Sequence, residues 1–560
     1  MTMLKNRLLK ICAALLVLVL LAGCAAGAGG STAASDSAET DAAEETLDPN
    51  LSASGEYILS DIDMSHYVAA DDNAIVFYEI FVGSFSDSNG DGIGDLRGII
   101  NRMDYLNDGD PTSGESLGVE GIWLSPIFQS SSYHKYDVDD YYTIDPDFGT
   151  MDDLVELLEL CHERGVKVIL DLVINHTGKG NEMFEAFVKA HQIGDVESEY
   201  YDFYSYYTSG ESAPSGRTYT LAAGTDIYYE CNFSNDMPEL NYDNEAVREA
   251  MLDVAKYYLD LGVDGFRFDA AKYIYYGDNS ACVEFWDWYC GELHAYKSDV
   301  YTVAEVWDSD AITIPYFSAT NCFDFAVSQS GGYIATAAKA GNVNTYTKYV
   351  AGYIDSITAL NEDALYVPFI ANHDTDRAAG YLTVSDGSAM MAANLYLLGP
   401  GSPFLYYGEE IGMKGSRGGA STDANRRLAM LWGDGDSVSD PEGSTYSADS
   451  QINGTVADQL GDSGSLYNYY KALLMIRAAN PEIARGEYTA LSLSGSVGGF
   501  TSTWNGSTVA VLHNTTSESY SVDISTLGDF SAIAAAIGLG EATLDGTTLT
   551  LEAQTSVVLR

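Results

Sequence analysis

The chain of 560 residues is too long for one small domain, so we expect two or three. Its 82 acidic residues against 27 Lys and Arg give a formal net charge of −55, which argues against nucleic acid or anionic lipid headgroups as partners. The 46% hydrophobic residues suffice for large cores, and the 41 tyrosines suit sugar rings as well as ordinary packing. The composition therefore fits a neutral substrate and is compatible with binding of a cation.

The N-terminus has the pattern of a secretory signal over residues 1–23, in which basic residues precede an apolar run from Ile11 to Leu21. This run is too short to predict a transmembrane helix. It is followed by Ala-Gly-Cys, which resembles a bacterial lipobox, so we predict a lipoprotein with a lipidated Cys24 as its first mature residue. The protein would then be extracellular and attached to the cell membrane by this lipid anchor only. A soluble secreted protein with a chance cysteine is the alternative.

Composition divides the rest of the chain into three parts. Residues 24–55 are almost all small or acidic and cannot form a core, so they predict a flexible linker. Residues 70–480 predict a catalytic domain in which strands alternate with helices. Residues 483–560 are rich in Ser, Thr and Gly with short alternating runs, which predicts a C-terminal β-sandwich.

Eight predicted strands organise the catalytic domain. They are Ala74–Phe85, Gly121–Phe128, Val166–Asn175, Gly265–Asp269, Val300–Trp307, Cys322–Val327, Ala364–His373 and Pro403–Tyr407. The predicted helices are Leu96–Leu106, Met151–Arg164, Glu245–Leu261, Ala281–Tyr296, Ala389–Leu398 and Leu466–Arg477. This alternation predicts the α/β class and a parallel (β/α)₈ TIM barrel. The long segment after the third strand predicts an inserted subdomain at about 177–243, because structureless loops of that length are uncommon.

Charged and polar residues follow several of these strands. Arg267 and Asp269 are two apart, so on a strand they share one face, and a buried charged pair is costly unless it is satisfied or used. A structural Arg–Asp bridge would explain an isolated pair. Three other strands, however, also end in acids or histidines, namely His176, Glu305, His373 and Asp374. Catalytic groups of such barrels lie at the carboxyl ends of strands, and three carboxylates fit glycoside hydrolysis.

Four motifs in this order resemble those of the α-amylase family, glycoside hydrolase family 13. They are DLVINH (171–176), GFRFDAAKY (265–273), EVW (305–307) and NHD (372–374). Supporting matches are GVEGIWLSPI, MPELN and GSPFLYYGEE. MPELN lies between the supporting motifs of the oligo-1,6-glucosidase and neopullulanase branches. The resemblance spans roughly residues 70–560 and implies the same three-domain fold.

The resemblance implies a role for each matching residue. Asp269 would be the nucleophile, Glu305 the general acid/base and Asp374 the stabiliser of the transition state. Arg267 would hold Asp269 ionised, because an adjacent cation lowers a carboxylate pKa. The sugar would be bound by His176, His373, the stacking ring of Tyr136, His134 nearby, and Lys272 beyond the bond.

A separate loop, Asp87–Asp95, has side-chain or backbone oxygens at every second position and glycines for tight bends, which suits calcium. It resembles the first half of an EF-hand loop without the final Glu. It resembles more closely the calcium loop after the first strand in the oligo-1,6-glucosidase and neopullulanase branches. The implied ligands are Asp87, Asn89, Asp91, Asp95 and the carbonyl of Ile93. A surface loop without metal is the alternative. The family resemblance leaves a second calcium site near Asn175 and Tyr273 as a further alternative.

The resemblance implies a retaining enzyme that cleaves internal α-1,4 bonds of starch and maltooligosaccharides. Ala270 and Lys272 favour this specificity, and Tyr133 stands where exo-acting relatives have Asp. The alternatives are an exo-acting α-glucosidase, an oligo-1,6-glucosidase or a neopullulanase-like enzyme. A non-catalytic glucan-binding protein would have lost one of the three acids. The expected partners are the α-glucan and a nearby sugar importer.

Overall fold

The computed structural model describes residues 57–418, 422–493 and 497–560. The predicted signal segment, Cys24 and the predicted linker lie outside the described residues. All described residues belong to one compact unit. Within it, no helix combines the length and apolar character needed to cross a membrane.

The centre of the molecule is a parallel barrel, which confirms the predicted fold class. Its strands are Phe77–Ile80, Gly121–Leu124, Lys167–Leu172, Gly265–Phe268, Tyr301–Ala304, Asn321–Cys322 and Phe404–Tyr406. They pair in chain order, and the last pairs with the first through Phe404 and Phe77. The predicted seventh strand, Ala364–His373, is reduced to two parallel bridges, Val367 to Phe323 and Phe369 to Phe404, which close the ring.

The barrel strands are apolar at most positions because both of their faces are covered. Their lumen is filled by aromatic rings, with Phe77 stacked on Tyr301 at 4.8 Å and on Phe404 at 4.7 Å between ring centroids. This packed lumen makes the barrel a solid support. Polar chemistry is therefore confined to the strand ends.

Amphipathic helices cover the barrel. Helix Glu245–Leu261 matches its prediction because Asn244 caps its first turn and Gly262, at φ 109°, ends it. The predicted first helix is broken at Arg102, and helices Tyr333–Ala340 and Val343–Thr358 were not predicted. The remaining helices are Leu96–Asn101, Met103–Leu106, Met151–Glu163, Asn279–Tyr296, Asp310–Thr313, Ser388–Leu397, Val456–Leu460, Leu466–Ala479 and Glu482–Arg485.

The segment after the third barrel strand folds into a small subdomain. It contains helix Glu182–Ile193 and an antiparallel sheet whose middle strand is Ile227–Glu230, flanked by Tyr206–Thr208 and Tyr219–Leu221. A bridge between His176 and Glu239 ties it to the end of the third barrel strand. Ahead of it, strands Phe128–Ser130 and Val138–Ile144 form a ribbon.

The C-terminal part is a β-sandwich. One sheet contains, in spatial order, Ile58–Leu59, Ile533–Gly538, Thr555–Leu559, Ser507–Asn514, Val497–Trp504 and Glu487–Ala490. The other contains Tyr520–Asp523, Thr548–Leu551 and Ala542–Asp545. The pairing of Ile58–Leu59 with this sheet was not predicted, and it joins the beginning of the described chain to its end.

Candidate active site

A single buried arginine connects three acids at the carboxyl ends of the barrel strands. Arg267, only 1% exposed, directs Nη1 to both carboxylate oxygens of Asp171 at 2.8 and 2.9 Å. The same nitrogen lies 2.7 Å from Oδ1 of Asp269, and Nη2 lies 3.0 Å from Oε2 of Glu305. The isolated structural bridge is therefore excluded, because Arg267 organises a cluster.

Parallel register explains this meeting. Arg267 pairs with Asp171 on the third strand and with Val303 on the fifth. Asp269 and Glu305 each follow two residues after these paired positions, so they lie at the same height along the barrel axis. The backbone then turns at Ala270, which has a left-handed φ of 49°. Its N–H donates to Oε2 of Glu305 at 3.1 Å. A left-handed non-glycine residue at this position indicates a strained turn held by its surroundings.

Of the two acids assigned to bond cleavage, Asp269 is buried and Glu305 is half-buried. Burial raises the pKa of Asp269 above its usual value, and Arg267 limits that rise. Burial likewise raises the pKa of Glu305 against the opposing effect of Arg267. The expected contact between Arg267 and Asp269 is present, but the net direction of the pKa is upward. A raised pKa suits Glu305 to donating a proton near neutral pH.

A second group surrounds Asp374. His373 Nδ1 lies 2.6 Å from Glu79, and its Nε2 lies 3.1 Å from Asp374. Arg427 donates to Oδ1 of Asp374 at 2.7 Å. Burial lowers the pKa of His373, but the negative charges of Asp374 and Glu79 outweigh this effect and raise that pKa to about 10. Burial would raise the pKa of Asp374, but His373 and Arg427 outweigh it and hold that pKa well below its usual range.

Tyr136 links the two groups. Its hydroxyl donates to Asp171 at 2.9 Å and lies 2.7 Å from Nε2 of His373. Its ring stacks on His373 with centroids 5.5 Å apart. The hydroxyl is thus fixed while the ring borders a cavity at the strand ends, which is the arrangement that a stacking platform requires.

One cavity of about 650 Å³ at the strand ends is lined by Asp269, Glu305 and Asp374. Burial lowers the pKa of His176 to about 4, so its imidazole is neutral. Its Nε2 has no hydrogen-bond partner among the described residues, so it is available to a ligand in the cavity. The lining residues are Tyr133, His134, Tyr136, His176, Phe233, Ser234, Met237, Asp269, Ala270, Lys272, Tyr273, Glu305, Trp307, Asp374, Thr422, Asp423 and Arg427.

The structure brings together every residue predicted for catalysis and sugar binding. Arg267 and His373 lie behind the cavity wall, and the other seven line it. Lys272 lies at the side of Glu305, where it donates to the carbonyl of Trp307 at 2.7 Å. Trp307 is 40% exposed and stacks on Phe325 at 4.8 Å.

Sequence reasoning missed three functional residues. Glu79 stands alone as an acid within an apolar strand, which was a usable signal. Asp171 lies inside a quoted motif but was given no role. Arg427 lies in a long irregular segment after the eighth strand, and its local sequence has no feature that points to the acids.

The predicted calcium loop has the donor chemistry of a hard cation, with side-chain oxygens at alternate positions. Asp87 accepts hydrogen bonds from the N–H groups of Asn89, Gly90 and Gly92 and from Ser437. Across residues 57–418, 422–493 and 497–560, no group of three or more His, Cys, Asp or Glu side chains is placed to hold a metal ion. A cation here would therefore also need amide and carbonyl oxygens such as those of Asn89 and Ile93.

A (β/α)₈ barrel with three acids around a cavity at its strand ends is the arrangement expected of a glycoside hydrolase. A model of the alpha-amylase catalytic domain matches residues 79–486, and the chain belongs to that family, glycoside hydrolase family 13. It is 36% identical over 418 residues to Alpha-amylase 3 of Dictyoglomus thermophilum, covering 74% of this chain and 78% of the relative. It is 28% identical over 523 residues to an oligo-1,6-glucosidase of Bacillus cereus, covering 79% and 90%.

A solved structure agrees with this assignment. Eubacterium rectale Amy13B has a TM-score of 0.81 and 34% identity, over 89% of this chain and 97% of that one. The chain is therefore an enzyme of the alpha-amylase family, and the non-catalytic alternative is wrong. Its relatives differ in the activities that their names state, so the family alone does not define which bond the enzyme cleaves.

Proposed function

We propose that this enzyme cleaves internal α-1,4-glucosidic bonds of starch-like glucans and maltooligosaccharides and retains the anomeric configuration. The observation that carries the proposal is that side chains able to contact a sugar line the cavity both beside Asp374 and beside Glu305. Tyr133 and Arg427 lie beside Asp374, and Lys272 and Trp307 lie beside Glu305. An internal bond needs sugar subsites on both of its sides.

In the proposed reaction Asp269 attacks the anomeric carbon while Glu305 protonates the leaving glycosidic oxygen. The covalent glycosyl ester at Asp269 is then hydrolysed by water, from which Glu305 takes a proton. Asp374 stabilises the positive charge of the transition state, and the low pKa imposed by His373 and Arg427 keeps it ionised for that role. The contact of one guanidinium with both Asp269 and Glu305 supports a close spacing, for which we predict about 5–5.5 Å between the carboxyl groups.

The cavity wall at Tyr133 affects whether the enzyme cleaves internal bonds or removes terminal sugars. The phenol of Tyr133 accepts a hydrogen bond from Arg427 at 3.1 Å and has no carboxylate to grip a terminal sugar. Iodine staining of amylose should therefore fall early relative to the reducing ends released, with maltose and short maltooligosaccharides as products. Persistent staining with glucose as the sole early product would support the exo-acting alternative instead.

A matched pair of variants tests the same wall. Tyr133→Asp introduces a carboxylate within reach of Arg427 and should raise the share of glucose among early products. Tyr133→Phe removes only the hydroxyl and should leave the product pattern near that of the wild type. Equal product patterns for both variants would show that this wall does not decide the mode of cleavage.

Three further proposals concern the surroundings of the enzyme. The chemistry of the Asp87–Asp95 loop supports a calcium site in which Asp87, Asn89, Asp91, Asp95 and the Ile93 carbonyl are ligands. The lipobox-like sequence at Cys24 supports an extracellular, membrane-anchored lipoprotein. An anchored enzyme of this kind would supply short oligosaccharides to a nearby sugar importer.

A further inference from the structure

Aromatic side chains continue from the rim of the cavity out of the active site. Phe233 is 47% exposed, lines the cavity, and has its ring centroid 5.2 Å from that of His176. The centroid of Tyr273 lies 5.0 Å from that of Phe233, and Tyr276 follows at 5.5 Å. These rings connect the inserted subdomain to the loop after the fourth barrel strand.

Arg217 extends the series across the boundary of the subdomain. Its guanidinium lies 5.6 Å from the ring centre of Tyr276 and donates to the Tyr276 carbonyl at 3.0 Å. It also forms a 2.8 Å ion pair with Glu230, whose carboxylate accepts a 3.3 Å hydrogen bond from the Tyr219 hydroxyl. The polar contacts of Arg217 thus join Tyr276 to Tyr219.

The outer face of the subdomain sheet completes the series. The ring of Tyr207 lies 4.9 Å from that of Tyr219 and stacks on Tyr228 at 5.0 Å with an interplanar angle of 9°. Tyr207, Tyr228 and Leu221 are cross-strand partners and share one face. Leu221 is 49% exposed, so this face is open to solvent.

The opposite face of the sheet packs inward and explains only part of the tyrosine excess. Tyr229 and Tyr206 contact Phe184 and Phe187 on the subdomain helix. Packing inside the subdomain therefore accounts for those tyrosines. It does not account for the partly exposed rings of the other face, which Arg217 and Glu230 connect to Tyr276 and so to the cavity.

We propose that this aromatic track binds the part of a long glucan that extends beyond the cleaved bond on the leaving side. The track consists of Phe233, Tyr273, Tyr276, Tyr219, Tyr207 and Tyr228. The inference rests on the proposed function and deepens it, because it makes chain length a determinant of binding.

The position of the track assigns it to the leaving side. Tyr273 is next to Lys272, whose ammonium group bonds to the carbonyl of Trp307, two residues beyond Glu305. In the proposed reaction Glu305 protonates the leaving oxygen, so groups beside it face the leaving portion of the chain. Successive partly exposed rings present apolar surface to the faces of sugar rings, and the tyrosines add hydroxyl groups at their tips. A neutral glucan also suits a surface of a strongly acidic protein better than an acidic polymer does.

The experiment measures binding without cleavage, in the full chain with Asp269→Asn. Two track variants are added separately: Tyr207→Ser with Tyr228→Ser on the subdomain, and Tyr276→Ser on the barrel. The matched control is Tyr142→Ser, which removes a 49% exposed tyrosine that packs on Tyr257 away from the track. The probes are amylose in affinity gels and maltotriose in calorimetry.

Amylose affinity should fall roughly three- to tenfold in both track variants, with a clearly smaller fall for maltotriose. The control should bind amylose like its parent. An equal fall for both probes, or an equal fall in the control, would overturn the track. Melting temperatures identify a misfolded variant, and the second variant lies on a different element. This experiment measures binding without turnover, so its result does not depend on the mode of cleavage. If the wild type were exo-acting, the internal-cleavage proposal would be refuted, and the binding data would still show whether the aromatic track binds glucan.

Discussion

Arg267 carries out several tasks at the scale of one residue. It is buried and touches Asp171, Asp269 and Glu305, so the negative charges of these acids meet one fixed positive charge. A buried charge without a partner is costly, which explains why Asp171 lies behind the reacting pair and supports the arginine without touching the cavity. The guanidinium is planar and holds its partners in fixed directions. Arg267 therefore positions the two acids to which the proposed mechanism assigns bond cleavage.

Substitution of those acids separates chemistry from folding. Glu305→Gln removes the proton donor and should lower kcat on amylose roughly 10²–10⁴-fold. Asp269→Asn removes the nucleophile and should abolish nearly all turnover. Both should melt near the wild-type temperature, because each replacement preserves shape. Asp308→Asn is the control, since Asp308 bonds to Lys272 at the rim and should cost little. Near-normal turnover of a folded Asp269→Asn variant, or a β-anomeric first product by NMR, would refute the assignment.

His373 predicts a pH dependence of stability. Its folded pKa is raised to about 10 by Asp374 and Glu79, against the effect of burial, from the ordinary histidine value of about 6.5. A raised histidine pKa stabilises the fold fully below about pH 6.5, and this contribution is lost as the pH rises through about 10. The melting temperature of His373→Gln should therefore lie furthest below that of the wild type near pH 6. The gap should narrow toward pH 10, and a gap that widens instead would contradict the ion-pair account.

Elements with clear local signals were predictable, and those set by tertiary pairing were not. Helix Glu245–Leu261 is capped by Asn244 and terminated by Gly262, so both of its ends are determined by local sequence. The predicted strand Ala364–His373 is reduced to bridges at Val367 and Phe369, because strand length depends on how long the neighbours stay in register. Apolar content alone overestimates such strands.

The Asp87–Asp95 loop leads to a prediction at the same scale. It lies before helix Leu96–Asn101, whose first turn Asp95 caps through the N–H of Gly98. Calcium bound only by the folded state would stabilise it by RT ln(1 + [L]/Kd). Chelation should then lower the melting temperature more than it lowers turnover at moderate temperature. Asp91→Asn should reduce the response to calcium, whereas Asp308→Asn should not. No bound metal by elemental analysis and an unchanged melting temperature in chelator would remove the site.

The active site is assembled from residues far apart in the chain, from Glu79 to Arg427. The four motif segments were recognisable because each combines an apolar strand with polar residues at its end. Arg427 was not recognisable, because its partner Asp374 is defined only when the segment after the eighth strand folds back over the barrel. The aromatic track was hidden for a similar reason. A tyrosine-rich sequence does not show which rings face outward until the strand register is known.

The whole molecule also has an N-terminal attachment that can be tested. Strand Ile58–Leu59 belongs to the C-terminal sheet, where Ile58 pairs with Gly538, and it lies shortly after the predicted linker 24–55. Lipidation of Cys24 would tether the enzyme to the outer surface of the membrane. In cell fractionation the wild type should appear with membranes, and Cys24→Ser should be released into the medium or remain unprocessed. Cys12→Ser, within the predicted signal segment, is the control and should still fractionate with membranes. Recovery of the wild type in the cytoplasm would contradict both the signal and the anchor.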